Sequence, residues 1–273
     1  MRTSVDDKRA AFRRLHAQGC FVLPNPWDVG SARMLQHLGF SALASSSSGF
    51  AWTTGRPDYA MGLTDVLAHL QSLCDAVELP VNADFESGFA RAPEDVAANV
   101  WRAVATGVAG LSIEDRDLDR TNDLYDASLA VERIRAARAA IDATDANVVL
   151  VARTEGLLLD ASAISPAIER LVAFADAGAD CLYAPGVRAK EDIAAMVRAV
   201  APRPVNVLMS GPGLGLDELA ALGVRRVSVG GALARVAWAA AMACATKMRG
   251  GSFAGLADAI PGATLNDMFK ALP

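Results

Sequence analysis

From end to end the chain alternates short apolar, β-rich runs with longer Ala-rich amphipathic stretches, and this alternation constrains its fold more than any other feature. Eight such runs occur, at residues 21–23, 41–44, 79–83, 110–113, 148–152, 181–183, 205–208 and 226–229. They read as near-continuous apolar strands, the pattern of a parallel sheet covered on both faces. Between them the spacing predicts helices over 27–37, 64–76, 93–105, 128–141, 164–177, 190–200, 217–221 and 233–248. Gly39, Gly107, Gly178 and Gly223 stand where helix exits are expected. Eight β/α pairs in succession specify a (β/α)₈ TIM barrel. A helix at 5–17 precedes the barrel, and the tail at 251–273 is expected to add one more helix outside it. A length of 273 residues suits one such barrel, so residues 1–273 read as a single domain. The first βα turn, LPNPWDVGS, is not G-x-G-x-x-G, so an open dinucleotide-binding sheet loses its main support.

Charge and hydropathy remove several classes of function. The formal net charge is -5, with no block of like charge, which offers no electrostatic footprint for nucleic acid or an anionic membrane. No apolar run reaches membrane-spanning length; the nearest, 232–245, is short and interrupted by Arg235. The N-terminal stretch lacks the apolar centre of a signal peptide, so a soluble cytoplasmic protein is expected. Cys20, Cys74, Cys181 and Cys244 are scattered without C-x-x-C spacing, which fits core thiols rather than a disulfide framework or zinc site.

In a barrel of this kind catalytic groups gather at the carboxyl ends of the strands. Those ends carry Asn25 and Asp28, the run Ser45 to Gly49, Asp84 with Glu86, Glu114 with Asp115, Arg153 with Glu155, Pro185–Gly186, Met209–Ser210 and Gly230–Gly231. Carboxylates thus cluster after the third and fourth runs, with an arginine after the fifth. His16, His37 and His69 all fall within predicted helices, which disfavours a histidine base or a His-ligated transition metal. Oxygen ligands alone suit Mg²⁺, or Mn²⁺. An arginine opposite them suits bidentate grip of a substrate carboxylate. The competing reading makes Asp84 and Glu114 structural acids paired with Arg153. Gly230–Gly231 reads either as a barrel phosphate site or as a tight strand-to-helix turn.

The segments VNADFESGFA, GVAGLSIED and VARTE, in this order and spacing, resemble the isocitrate lyase/phosphoenolpyruvate mutase superfamily, and the resemblance covers most of the chain. It implies a barrel, a homo-oligomer (tetramer or dimer), Mg²⁺, and chemistry on a small 2-oxo acid or dicarboxylate through an enolate. On that resemblance Asp84, Glu86 and Glu114 are the metal-site acids. Asp58, Glu114 and Arg153 are the catalytic set. Ser46, Ser47, Ser48, Arg153 and Asn206 are the substrate-binding set.

The sequence also departs from the family. The lyases carry K-(K/R)-C-G-H after the fourth strand, whereas residues 116–125 here hold neither Cys nor His. Isocitrate or 2-methylisocitrate cleavage is therefore not expected, and proton delivery falls to water, a serine or Tyr125. Pro185 stands where the mutases place a histidine after the sixth strand, which disfavours phosphonopyruvate-type P–C chemistry, and Asn82 replaces the first acid of the D-A-D pattern. The readings that follow are a Mg²⁺-dependent lyase-type enzyme, a member that binds 2-oxo acids such as 2-oxoglutarate with little turnover, and P–C chemistry.

Overall fold

The computed structural model describes residues 2–117 and 123–270. Its main sheet has eight parallel strands: β1 (Phe21–Leu23), β2 (Leu43–Ala44), β3 (Val81–Asp84), β4 (Gly110–Glu114), β5 (Val149–Arg153), β6 (Cys181–Tyr183), β7 (Val205–Leu208) and β8 (Arg226–Ser228). Ladders run without a break from β2 through β8 and on to β1. The β1–β2 seam is bridged by the Ala44 N–H, which donates to the Pro24 carbonyl at 3.0 Å. Asn25 closes it further: its Nδ2 donates to the Ser45 carbonyl at 3.0 Å, and its Oδ1 accepts from the Val229 and Gly230 amides, each at 2.9 Å. One buried amide therefore ties the ends of β1, β2 and β8, and the result is the expected TIM-type barrel. The same bond engages the Gly230 amide that a phosphate would need. Gly231 is packed closely too, since a Cβ there would lie 2.8 Å from Ser48 Oγ. The tight-turn reading of this pair is the one the contacts favour.

Two apolar layers hold the barrel. The larger lies between the strands and the surrounding helices and includes Leu43, Leu70, Phe85, Val100, Leu111, Ile134, Leu150 and Phe174. The smaller fills the lumen with Leu23, Ala44, Ala109, Val149, Val151, Cys181 and Tyr183, around Phe12. Phe12 comes from the first helix, Val5–Ala17, whose cations dock it across the amino end of the barrel. Lys8 Nζ donates to the carbonyls of Cys74 (3.0 Å) and Val77 (2.6 Å), and Arg9 Nη2 to that of Val104 (2.8 Å). These carbonyls end the helices Leu63–Ala76 and Pro93–Ala105, where the helix dipole favours positive charge. The plug leaves no room at position 110: a Cβ on Gly110 would lie 2.6 Å from Phe12 Cε1 and 2.7 Å from Asn82 Oδ1.

Three local features differ from the pattern-based expectation. The serine run opens a short helix, Ser47–Thr53, capped by the Ser46 Oγ accepting from the Gly49 amide. Asp28 acts as an N-cap, in a reciprocal capping box with Ser31. After β4 an antiparallel pair, Arg116–Asp117 with Asp123–Leu124, leaves the barrel; residues 118–122 of the stretch that replaces the lyase motif lie outside the described residues. The tail forms the expected helix, Gly262–Lys270, beyond a 3₁₀ turn at Ala254–Leu256, with 271–273 outside the described residues.

Candidate active site

Parallel pairing in register brings the candidate residues together. Glu114 at the end of β4 faces Arg153 of β5, and Arg153 faces Tyr183 of β6. Arg153 Nη1 then spans to Glu114 Oε2 at 3.2 Å and to Asp84 Oδ1 at 3.3 Å, while its Nε donates to Glu155 Oε1. The guanidinium also lies over the Tyr183 ring, 5.3 Å from its centroid. Burial alone would lower the Arg153 pKa, but Glu114, Glu155, Tyr183 and Asp84 overcome it and hold this group charged.

Asp84 is fixed from its other side by Ser47, whose amide and hydroxyl donate to Oδ2 at 3.0 and 2.8 Å. The Asp84 amide donates to Ser45 Oγ and the Ser45 amide to the Asn82 carbonyl, each at 2.8 Å, so the serine run is joined to β3 by four hydrogen bonds. Ser46 and Ser48 share a hydroxyl contact of 3.2 Å beside it. Of the expected substrate-binding serines, Ser47 is thus engaged by an acid of the site.

Carboxylates outnumber cations here. Burial, then the negative charges of Asp84 and Asp58, pushes Glu86 up to about 8. Glu114 is raised as well, by burial first and by Glu155 and Asp84, against the opposing pull of Arg153. Asp58 is raised by burial and by Asp84. The second oxygen of Glu155, Oε2, is buried with no hydrogen-bond partner. Such a surplus of buried negative charge suits a further cation. Yet among the described residues no three His, Cys, Asp or Glu side chains converge as a ready metal cage. Asp84, Glu86 and Glu114, the expected metal-site acids, do not form such a cage by themselves. Asp84 and Glu114 both turn onto Arg153, which stands between them.

Two further expectations change. Asn206 is fully buried within the barrel, its Oδ1 accepting from Arg226 Nε at 2.9 Å and its Nδ2 donating to Ser228 Oγ at 3.0 Å. Both ends of its amide serve this interior network, which supports Tyr183 through Ser228. Tyr125 is buried, with its ring between the guanidinium groups of Arg91 (5.1 Å) and Arg133 (4.1 Å). The tyrosine that reaches the acids is Tyr59, whose hydroxyl donates to Glu114 Oε1 at 2.9 Å. Tyr59 and Glu86 have φ of 62° and 46°, two of only four described non-glycine residues in the left-handed region. Such backbone strain gathers at functional sites. The one sequence signal for Tyr59 is its place beside Asp58, between Gly55 and Gly62.

Residues 12–249 match the phosphoenolpyruvate phosphomutase family. A solved structure described only as a lyase/mutase of Burkholderia cenocepacia J2315 superposes with a TM-score of 0.94 at 46% identity, covering 97% of each chain. The oxaloacetate decarboxylase of Pseudomonas aeruginosa is 31% identical over 262 residues, 91% of this chain and 88% of its own. An oxaloacetate acetylhydrolase solved with its product oxalate gives a TM-score of 0.87 at 30% identity, covering 97% of this chain and 94% of its own. On the match over most of the chain and on the barrel, the chain belongs to the phosphoenolpyruvate mutase/isocitrate lyase superfamily.

Proposed function

We propose that the chain is a lyase-type enzyme that breaks a carbon–carbon bond in a small 2-oxo or 2-hydroxy dicarboxylate of the oxaloacetate kind, by decarboxylation, hydrolysis or aldol-type cleavage. The observation that carries this reading is the surplus of buried carboxylates around Arg153 at the carboxyl end of the barrel. The named activities of the oxaloacetate decarboxylase and acetylhydrolase relatives support it. The donor set fits Mg²⁺ or Mn²⁺: Asp84, Glu86 and Glu114 offer only oxygen, and Mg²⁺ commonly binds through one or two carboxylates and keeps its waters. When bound there, the ion supplies positive charge against which an enolate is stabilised.

The chain's own residues do the rest. Arg153 holds Asp84 and Glu114 in place and adds a fixed positive charge beside the developing enolate. Ser46 and Ser48 present hydroxyls to the oxo-acid end. Tyr59 is the group positioned to move a proton at Glu114 Oε1. Asp58 closes the loop side of the site. Apolar residues exposed on the C-terminal segment, Val236, Met242 and Phe253, support assembly into a homo-oligomer. Among the described residues no helix is long and apolar enough to cross a membrane.

The test is a turnover screen of oxaloacetate, malate and alkylmalates with Mg²⁺ and with EDTA, reading pyruvate, oxalate and aldehyde or ketone products. Metal-dependent turnover of one compound is expected. Binding of several compounds with turnover of none favours instead a 2-oxo acid binder, the reading motivated by the absence of Cys and His from residues 116–125.

A further inference from the structure

Arg153 spends its Nε and Nη1 on Asp84, Glu114 and Glu155, which leaves the Nη2 end for a single carboxylate of the substrate. A dicarboxylate in this mouth needs a second cation. Most other arginines near the site are committed. Arg91 pairs with Asp117 at 2.7 Å, Arg170 pairs with Asp115 at 3.2 Å, and Arg133 donates to the carbonyl of Arg91 at 2.9 Å.

Arg116 differs. It stands two residues beyond Glu114, is half-buried, and has no carboxylate partner among the described residues. Its guanidinium lies over the ring of Tyr59, 5.0 Å from the guanidinium carbon to the centroid. Stacking of this kind uses the face of the guanidinium and leaves its in-plane N–H donors available. The contacts continue inward: Tyr59 Oη to Glu114 Oε1 at 2.9 Å, then Glu114 Oε2 to Arg153 Nη1 at 3.2 Å. A cation on an aromatic platform, with no carboxylate partner among the described residues, therefore stands at the outer end of a chain that leads into the acid cluster.

We infer that Arg116 is the specificity-determining residue of this site and receives the distal carboxylate of a dicarboxylate. Tyr59 holds it in place. The inference rests on the functional reading above for the position of the 2-oxo end, among Ser46, Ser48 and Asp84. It adds the feature that separates dicarboxylates from monocarboxylates. A planar fork matches a carboxylate in bidentate fashion, which a lysine at the same position would not reproduce.

The experiment compares matched pairs, pyruvate with oxaloacetate and lactate with malate. Binding to the full chain is measured by calorimetry and thermal shift with Mg²⁺ present. The wild type is set against Arg116→Leu, Arg116→Lys, Arg116→Gln and Arg188→Leu. Arg188 is an exposed arginine on the loop after β6 and serves as the control. Wild type should prefer the dicarboxylate of each pair by about ten- to a hundredfold, the worth of a charge-assisted hydrogen bond. Arg116→Leu should lose that preference with monocarboxylate affinity unchanged, Arg116→Lys should keep part of it, and Arg188→Leu should keep it all. If Arg116→Leu does not fold, Arg116→Gln carries the comparison. The inference is overturned by a wild type without preference, by a preference that survives in Arg116→Leu or Arg116→Gln, or by its loss in Arg188→Leu alone. If the preference depends on Arg116 but no dicarboxylate is turned over, the functional reading fails while this one stands. Turnover of oxaloacetate with unchanged KM in Arg116→Leu gives the converse.

Discussion

Replacing Arg153 by alanine is expected to weaken the fold as well as the site. As a sequence feature, an arginine at a strand end suggests a substrate clamp whose loss leaves the fold intact. The contacts say otherwise, because Asp84, Glu114 and Glu155 all depend on this one guanidinium. Removing one partner of a buried ion network costs about 3–5 kcal/mol, mostly the penalty of the uncompensated charges left behind. Unfolding entropy near 2 cal/mol/K per residue over 273 residues gives about 0.6 kcal/mol/K. The expected fall in Tm is then about 5–9 °C at pH 8. The pH dependence has a definite sign. Glu114 is already raised with Arg153 opposing the rise, so without Arg153 it holds its proton more tightly than in the unfolded chain, and stability is present at low pH and is lost as pH rises. The deficit of Arg153→Ala should therefore shrink at pH 5, and Glu155→Gln in the same background should recover part of it at pH 8. Calorimetric melts of the single and double variants at both pH values measure this. A fall at pH 8 of less than about 1 °C, small against the scale set by the unfolding entropy, would refute the ion-network reading, as would a larger deficit at pH 5.

Three further outcomes are expected. Glu86 is raised from its ordinary value of 4.5 to about 8, so its ionisation opposes folding by about 1.4 kcal/mol per pH unit across that window. Glu86→Gln should flatten the stability profile between those limits and stabilise the metal-free protein at pH 8.5; chemical denaturation curves showing no gain would contradict the assignment. Tyr59→Phe should leave Tm nearly unchanged but lower kcat on the accepted dicarboxylate by about 10²–10⁴-fold, as loss of a positioned proton-transfer group does; an unchanged kcat would exclude Tyr59 from proton transfer. Gly110→Val should prevent folding, because even a Cβ would lie 2.6 Å from Phe12 Cε1. Phe12→Ala should partly rescue it, so circular dichroism of Gly110→Val alone showing a native fold would disprove the plug.

The features legible in the sequence are those a local pattern can encode. Apolar runs alternating with amphipathic stretches specify strands and helices through side-chain periodicity, and their order specifies the barrel. Because strand ends carry the chemistry of such a barrel, Asp84, Glu114 and Arg153 could be named from position alone, and all three do meet. What only the tertiary structure decided is which partner each group takes. Asp84 and Arg153 meet across 69 residues, and Tyr59 reaches Glu114 across 55, distances over which no sequence period carries information. Barrel closure sets these pairs: it lays β3, β4 and β5 side by side in one register and folds the loop holding Tyr59 over their ends. The same closure directs Asn206 to Arg226 and Ser228 inside the lumen, spends Arg153 on three acids, and sets Arg116 over the ring of Tyr59. Burial then converts this geometry into chemistry, since carboxylates that would be ordinary in water repel one another and resist ionising once the barrel excludes solvent.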